Sequence, residues 1–167
     1  MMDFKLVEME DKDISTFKKE IQEAFQKGFE EVYGPTEGII LPEDDIDQSL
    51  NTKGAIAYKA LLDNKLVGGA VVVINKKTQH NDLHLIYVKH GHQTKGIGKL
   101  MWDEIEKLHP KTEVWETCTP YFEKRNIHFY VNKCKFHIVK YLKQIEQEGF
   151  IGDAGEGMFV FQKVMKR

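Results

Sequence analysis

Cysteine is scarce in this chain of 167 residues: only Cys118 and Cys134 are present. Two thiols in a chain of this size do not make a disulfide framework, so an ordinary apolar core must hold the fold. Long hydrophobic runs are missing as well. The longest, Ala70 to Ile74, is strand-sized, far short of the roughly 20 residues that span a bilayer. The N-terminal MMDFKLVEMEDKD is acidic and mixed, with no apolar stretch of the signal-peptide kind. These absences predict a cytoplasmic protein that does not enter a membrane. A basic excess is lacking too: the formal net charge is -2, which argues against a nucleic-acid partner. No repeat, low-complexity tract or linker breaks the chain, so residues 1–167 read as one domain.

The charge that is present is unevenly placed. Acids crowd the first 47 positions, including Glu43, Asp44, Asp45 and Asp47, while Lys76, Lys77, Lys89, Lys95 and Lys99 lie in the middle with His90 and His92. Each cluster has a plain reading as a solvated face. The sharper one is a basic site for a phosphorylated ligand and an acidic site for a cation.

Hydrophobic spacing supplies the elements. Ile14, Phe17, Ile21, Phe25, Phe29 and Val32 recur at helical intervals, predicting an amphipathic helix over 13–33 with Asp13 as N-cap and Gly34-Pro35 as stop. Its aromatics, Phe17, Phe25 and Phe29, read as core. A short helix begins at Pro42, followed by three acids that suit the positive end of its dipole. The segments 55–62 and 65–75 read as a hairpin around Asp63-Asn64, with a bulge near Gly68-Gly69. In the strand 81–89, alternation puts Leu83, Leu85 and Tyr87 on one face and Asp82, His84, Ile86 and Val88 on the other. A helix from Ile97 to Leu108, a strand over 113–119, a helix over 123–133 and two final strands complete the chain. The expected fold is α+β: a mixed, mostly antiparallel sheet of six to seven strands flanked by about four helices.

The stretch LIYVKHGHQTKGIGKLMW, from Leu85 to Trp102, carries the chemistry. A strand enters a loop with three glycines that opens directly onto an amphipathic helix. Amides at a helix start lack intrahelical partners and form an anion site, and glycine lets backbone approach a bulky phosphate. Lys95, Lys99 and His92 add positive charge or donors there. A Rossmann fingerprint is excluded because the third glycine of GxGxxG is missing after Gly96 and Gly98. A P-loop is excluded because Ile97 and Gly98 stand where Lys and Ser or Thr belong, which leaves an ATP-using enzyme without its motif.

The remaining pattern, Gln93-Thr94-Lys95-Gly96-Ile97-Gly98 between a strand and a helix, resembles the signature of the GNAT superfamily of acetyl-CoA-dependent N-acetyltransferases. The order of elements is similar along nearly the whole chain. The resemblance implies transfer of an acetyl group from acetyl-CoA to a primary amine of a small molecule or peptide, by direct attack in a ternary complex. It implies that backbone at Ile86, Tyr87 and Val88 bonds the pantetheine arm. The pyrophosphate would lie on Gln93, Thr94, Lys95, Gly96, Ile97 and Gly98 with Lys99 beside them, and Asn126 would touch the cofactor arm.

Base candidates are His84, Asp82 and Glu116. His84 has an ordinary pKa suited to proton abstraction near neutrality, and Glu116 is equally suited to hold an amine's positive charge. Tyr130 is the candidate acid for the departing thiolate. The resemblance is imperfect there: FYVNKCKF has one residue more than the family's FYxxxGF, with Lys135 in place of glycine. One extra residue on an α-helix turns a side chain by about 100°. Cys118 and Cys134 have no base paired with them and read as small buried residues. His90 and His92 make a lone HxH, too little for a metal site, so no metal is expected. An acidic rim at 25–50 would favour a cationic acceptor, and a non-catalytic acyl-CoA sensor is the rival reading. The C-terminal GMFVFQKVMK either joins the chain's own sheet or pairs with a second subunit in a homodimer.

Overall fold

The computed structural model describes residues 3–93, 96–143 and 157–165. The elements in order are β1 (Phe4–Glu8), a 3-10 turn (Asp11–Asp13), α1 (Ile14–Tyr33), α2 (Glu43–Asn51), β2 (Ala55–Leu62), β3 (Lys65–Val73), β4 (His80–Val88), α3 (Ile97–Leu108), β5 (Val114–Pro120), α4 (Lys124–His128) continued by a π turn (Phe129–Lys133), β6 (His137–Leu142) and β7 (Met158–Val164). The strands form a single seven-stranded sheet in the order β1-β2-β3-β4-β5-β7-β6. Only β4 and β5 run parallel; the other neighbours are antiparallel. The α+β sheet with four helices expected from the sequence is thus the one observed, and the C-terminal strand lies inside it between β5 and β6.

Helices cover both faces of the sheet. One face buries Trp102, Trp115, Tyr130, Phe136 and Phe161 together with Leu83, Val72 and Cys134. The other buries Phe17 and Ile21 of α1 and Ile46 of α2 against Val71, Leu85 and Tyr87. The Asp63-Asn64 turn has positive φ at both residues (51° and 68°), the backbone of a tight two-residue hairpin.

Local details depart from the sequence reading. Strand β1 was not anticipated, since FKLVE is too short and mixed to carry a period. Asp13 does not cap α1 with its side chain; the capping box lies one turn earlier, between Glu10 and Asp13 around the 3-10 turn. The expected bulge falls at Val67, beside Gly68, where Ala60 pairs with Gly68 and Leu61 with Leu66. A second bulge sits in β4. Val71 pairs with Leu85 and Val72 with Leu83, so His84 is the extra residue.

That bulge overturns the expected phase of β4. An inserted residue breaks period-2 alternation and re-aims side chains. Leu83 joins the α3 face, whereas Leu85 and Tyr87 join the α1–α2 face. Ile86 and Val88 pack on the α3 face with Ile97 and Met101. His84 instead meets Ser49 of α2, Nδ1 to Oγ at 3.3 Å. His84 and Ile86 therefore lie on opposite faces, not on one.

Candidate active site

The parallel β4–β5 ladder is short. It runs through His80↔Val114, Asn81↔Trp115 and Asp82↔Glu116 and then ends, although β4 continues to Val88 and β5 to Pro120. The Thr117 hydroxyl donates to the Leu83 carbonyl at 2.9 Å, just beyond the last pair, and the strands part from there. The opening is a cleft of about 1780 Å³ that passes between the sheet, α1, α2, α3 and α4.

One end of the cleft is built on the start of α3. Gly96 precedes the helix with φ of 70°, a left-handed backbone that glycine adopts without strain. The amides of the first turn that follows have no partner within the helix. Gly98 faces Phe129: a Cβ there would sit 3.0 Å from the ring, so glycine lets α3 and α4 close together. Gln93, Gly96, Gly98 and Lys99 line this end, with Lys133 and His128 from the α4 side. Lys99 ion-pairs with Asp103 one turn on. The Gln93 side chain accepts from the Gly91 amide at 2.9 Å, which braces the loop.

Along the middle, Ile86, Tyr87 and Val88 of β4 line one wall and Asn126 the other. The Asn126 amide donates to Thr119 Oγ1 at 3.1 Å. The Tyr87 hydroxyl donates to Glu20 Oε1 at 3.0 Å. Ile97, by contrast, turns its side chain into the core and can meet a ligand only through backbone. Thr94 and Lys95 lie outside the described residues.

The other end is acidic. Asp82 and Glu116 are register partners on adjacent strands, on the face opposite Leu83 and Trp115. Burial pushes the Asp82 carboxyl up to about 6, and the neighbouring Glu116 charge adds to this against a smaller opposing effect of His80. Glu116 accepts from Gln162 at 2.8 Å. Asp45 of α2 also lines the cleft, and burial with the adjacent Asp44 raises its pKa. His84 faces this end, and burial holds its pKa below the usual histidine range. Cys118, between Glu116 and the strand end, is pushed up to about 12 by burial and the two carboxylates, so its thiol stays protonated.

Tyr130 is buried, with 7% of its surface exposed, and lines the cleft. Burial raises its pKa, while a hydrogen bond with Thr117 draws it down. The register that the sequence left in question is resolved by the backbone. Residues Phe129–Lys133 form a π turn, with the Cys134 amide bonded to the Phe129 carbonyl five residues back at 2.9 Å. A π turn absorbs one inserted residue inside a helix. The extra residue is taken up there, and Lys135, with φ of 69°, takes the left-handed conformation that glycine usually fills.

The sequence reading missed the aromatic wall. Phe29 belongs to it rather than to the core, stacked 4.9 Å from Tyr33, and both rings meet Phe122 of the β5–α4 loop. Tyr33 donates to the Phe122 carbonyl at 2.6 Å, and Arg125 pairs with Glu31 at 3.2 Å. The end of α1 is thereby strapped to the loop across the cleft. Nothing in the spacing of α1 separates Phe29 from Phe17, because both fall on its apolar stripe. Among the described residues, no group of three or more His, Cys, Asp or Glu is placed to hold a metal ion, and no helix is long and apolar enough to cross a membrane.

Comparison with known proteins agrees with this architecture. Uncharacterized protein YrkN of Bacillus subtilis (strain 168) is 43% identical over 166 residues, covering 93% of this chain and 90% of that protein. The ribosomal-protein-S18-alanine N-acetyltransferase of Escherichia coli superposes with a TM-score of 0.72 at 10% identity, covering 99% of this chain and 96% of that one. The spermidine N-acetyltransferase of Vibrio cholerae, solved in complex with CoA and spermine, gives 0.69 at 14% identity, covering 96% and 95%. The profile of the Acetyltransferase (GNAT) family matches residues 18–136. With its parted strands and glycine loop at a helix start, this chain belongs to the Acetyltransferase (GNAT) family.

Proposed function

We propose that the protein transfers an acetyl group from acetyl-CoA to a primary amine, with both substrates bound in the cleft at once. The observation that carries the reading is the β4–β5 splay, with a helix-start anion site at one end and titratable side chains at the other. CoA fits the first end: its pyrophosphate suits the α3 amides at Gly96 to Lys99, and the pantetheine suits the β4 backbone at Ile86 to Val88. Lys133 and Asn126 would flank the arm. The co-substrate supplies an activated acetyl group there.

His84 acts as the base. Its depressed pKa leaves the imidazole neutral at pH 7, ready to take a proton from an ammonium group. Tyr130 acts as the acid, giving its phenolic proton to the departing thiolate. Its raised pKa keeps it protonated until that moment. Glu116 is assigned to the acceptor's positive charge rather than to proton abstraction, since its carboxylate is already held by Gln162. A protein solved with CoA and spermine has this fold, which supports an amine as acceptor; another is a ribosomal-protein-S18-alanine N-acetyltransferase, so the fold leaves the amine open.

The test is a thermal-shift titration with acetyl-CoA, CoA and ATP, followed by thiol release from acetyl-CoA with an amine panel. Ligands that bind only the folded state raise its melting temperature. Stabilisation by both CoA species but not ATP, with amine-dependent thiol release, is the expected result. Stabilisation without release for any amine would turn the reading toward an acyl-CoA sensor. No response to CoA would end it.

A further inference from the structure

We propose that Ser49 of α2 is the positioning residue for His84: its hydroxyl oxygen accepts the Nδ1 proton, which leaves Nε2 bare and turned to the cleft. The inference rests on the acetyltransferase reading with His84 as base, and adds what holds the ring in the state a base needs.

Three observations converge. First, a neutral imidazole has one N–H and one lone pair, and the bond made by one nitrogen decides the state of the other. Nδ1 of His84 lies 3.3 Å from Ser49 Oγ, and among the described residues the ring has no other hydrogen-bond partner. His84 lines the cleft and Ser49 does not, so the nitrogen left over is the one available to a ligand. Second, Ser49 is 2% exposed, and its hydroxyl has no water to turn to. A hydroxyl on a helix commonly bonds the carbonyl four residues back, as Thr52 at the end of α2 does with Gln48 at 2.7 Å. Ser49 turns to β4 instead. Third, His84 is the extra residue of the β4 bulge. A bulge re-aims one side chain, and here the side chain it re-aims meets one buried hydroxyl.

The direction of the hydrogen bond follows from the chemistry of a base. With Nδ1 donating, Nε2 keeps its lone pair and can take a proton from an ammonium group. The imidazolium that forms still donates from Nδ1 to Ser49, so nothing has to turn. With Ser49 donating, Nε2 would carry the proton and present a donor to the cleft, and the ring could not act as base. A hydroxyl oxygen that accepts in both states also supports the charged form against burial, which favours the neutral one.

The experiment reads the ring directly, by nitrogen-15 spectra of the seven histidines at a pH of about 8, where imidazole is neutral. The His84 signals are assigned by their loss in His84→Gln. The expected result is a protonated Nδ1 and a bare Nε2 in the parent protein, a mixed or reversed tautomer in Ser49→Ala, and the parent tautomer again in Ser49→Thr, which keeps the hydroxyl. With saturating amine, kcat should fall about tenfold in Ser49→Ala and recover in Ser49→Thr. The KM for acetyl-CoA and the CoA-induced melting shift should stay unchanged, because the α3 end is untouched; the same melting curves check folding. A protonated Nε2 in the parent, which needs no variant to observe, overturns the inference. So does a tautomer or a kcat indifferent to Ser49→Ala. Absence of thiol release with every amine overturns the acetyltransferase reading as well, and the spectra, which need no turnover, tell the two failures apart.

Discussion

At the α3 end of the cleft, ligand-facing groups come from one continuous segment and act largely through backbone: the turn at Gly96 and the first amides of α3. At the α2 end they are side chains from three separate elements: Asp45, Asp82, His84 and Glu116. On the proposed reading, the first would hold an anion through backbone and fail when a glycine is lost, and the second would answer to one side chain at a time.

The sharpest way to break this contrast is at Gly96. Glutamate there adds bulk and negative charge where the pyrophosphate is expected, on a backbone with φ of 70°. The expected outcome is loss of CoA-induced stabilisation, a fall in affinity of at least about 100-fold or ~2.7 kcal/mol. The backbone itself costs on the order of 1 kcal/mol in a left-handed conformation. Asparagine tolerates that conformation better and should retain CoA binding, so comparing the two melting shifts separates charge from strain.

Next in size is Tyr130→Phe. With the phenol gone, the thiolate leaves without a proton donor. Turnover should fall about 100-fold, ~2.7 kcal/mol on the barrier, with KM for acetyl-CoA unchanged. Steady-state kinetics with saturating amine checks it; full turnover would leave Tyr130 a packing residue against Phe136 and Phe161.

The same contrast accounts for what the sequence could tell. Gln93 to Gly98 stand together in the chain and their spacing is the site, so the donor end was legible. So was the sheet, because β2 and β3 are apolar, strand-length runs around a turn with two residues suited to positive φ. The acceptor end was not. His84 was grouped with Ile86 and Val88, from which the bulge separates it, because one inserted residue inverts the phase of a strand, and only pairing to β3 reveals a bulge. Tyr130 was in doubt for a related reason: the one extra residue before Phe136 counts as a shift on an α-helix and is absorbed by a π turn. Asp45 was visible only as one acid among several, since nothing local says which of Glu43, Asp44, Asp45 and Asp47 faces inward. Helical spacing from Ser49 answers that once Ser49 is known to touch His84.

A smaller effect tests the base. His84→Gln should reduce kcat/KM by about 10- to 100-fold. It should also abolish the acidic limb of the pH profile. Because burial lowers the pKa of His84, that limb lies below the ordinary histidine range: activity is full at pH 7 and is lost as pH falls through the folded-state value. A profile of kcat/KM against pH from 5 to 9 reads it. An unchanged limb in the variant would move the base to Asp82.

Asp82 tests the acidic end with the smallest and most specific signal, one of stability. Its carboxyl is pushed up to about 6 in the folded protein, above its ordinary value of 3.8. A raised carboxyl pKa means that the folded state favours the protonated form. The charge therefore opposes folding above pH 6, and that opposition vanishes as pH falls below the unfolded value. Asparagine at 82 never carries the charge. Asp82→Asn should thus be more stable than the parent protein at pH 8, by on the order of 1–2 kcal/mol after allowing for solvent screening of a partly exposed group. The advantage should shrink toward pH 4, where the parent is itself protonated. Denaturant melts at both pH values measure the difference. A variant less stable at pH 8 would mean that Asp82 already has a cation to hold, and the acidic end would lose its claim on the acceptor.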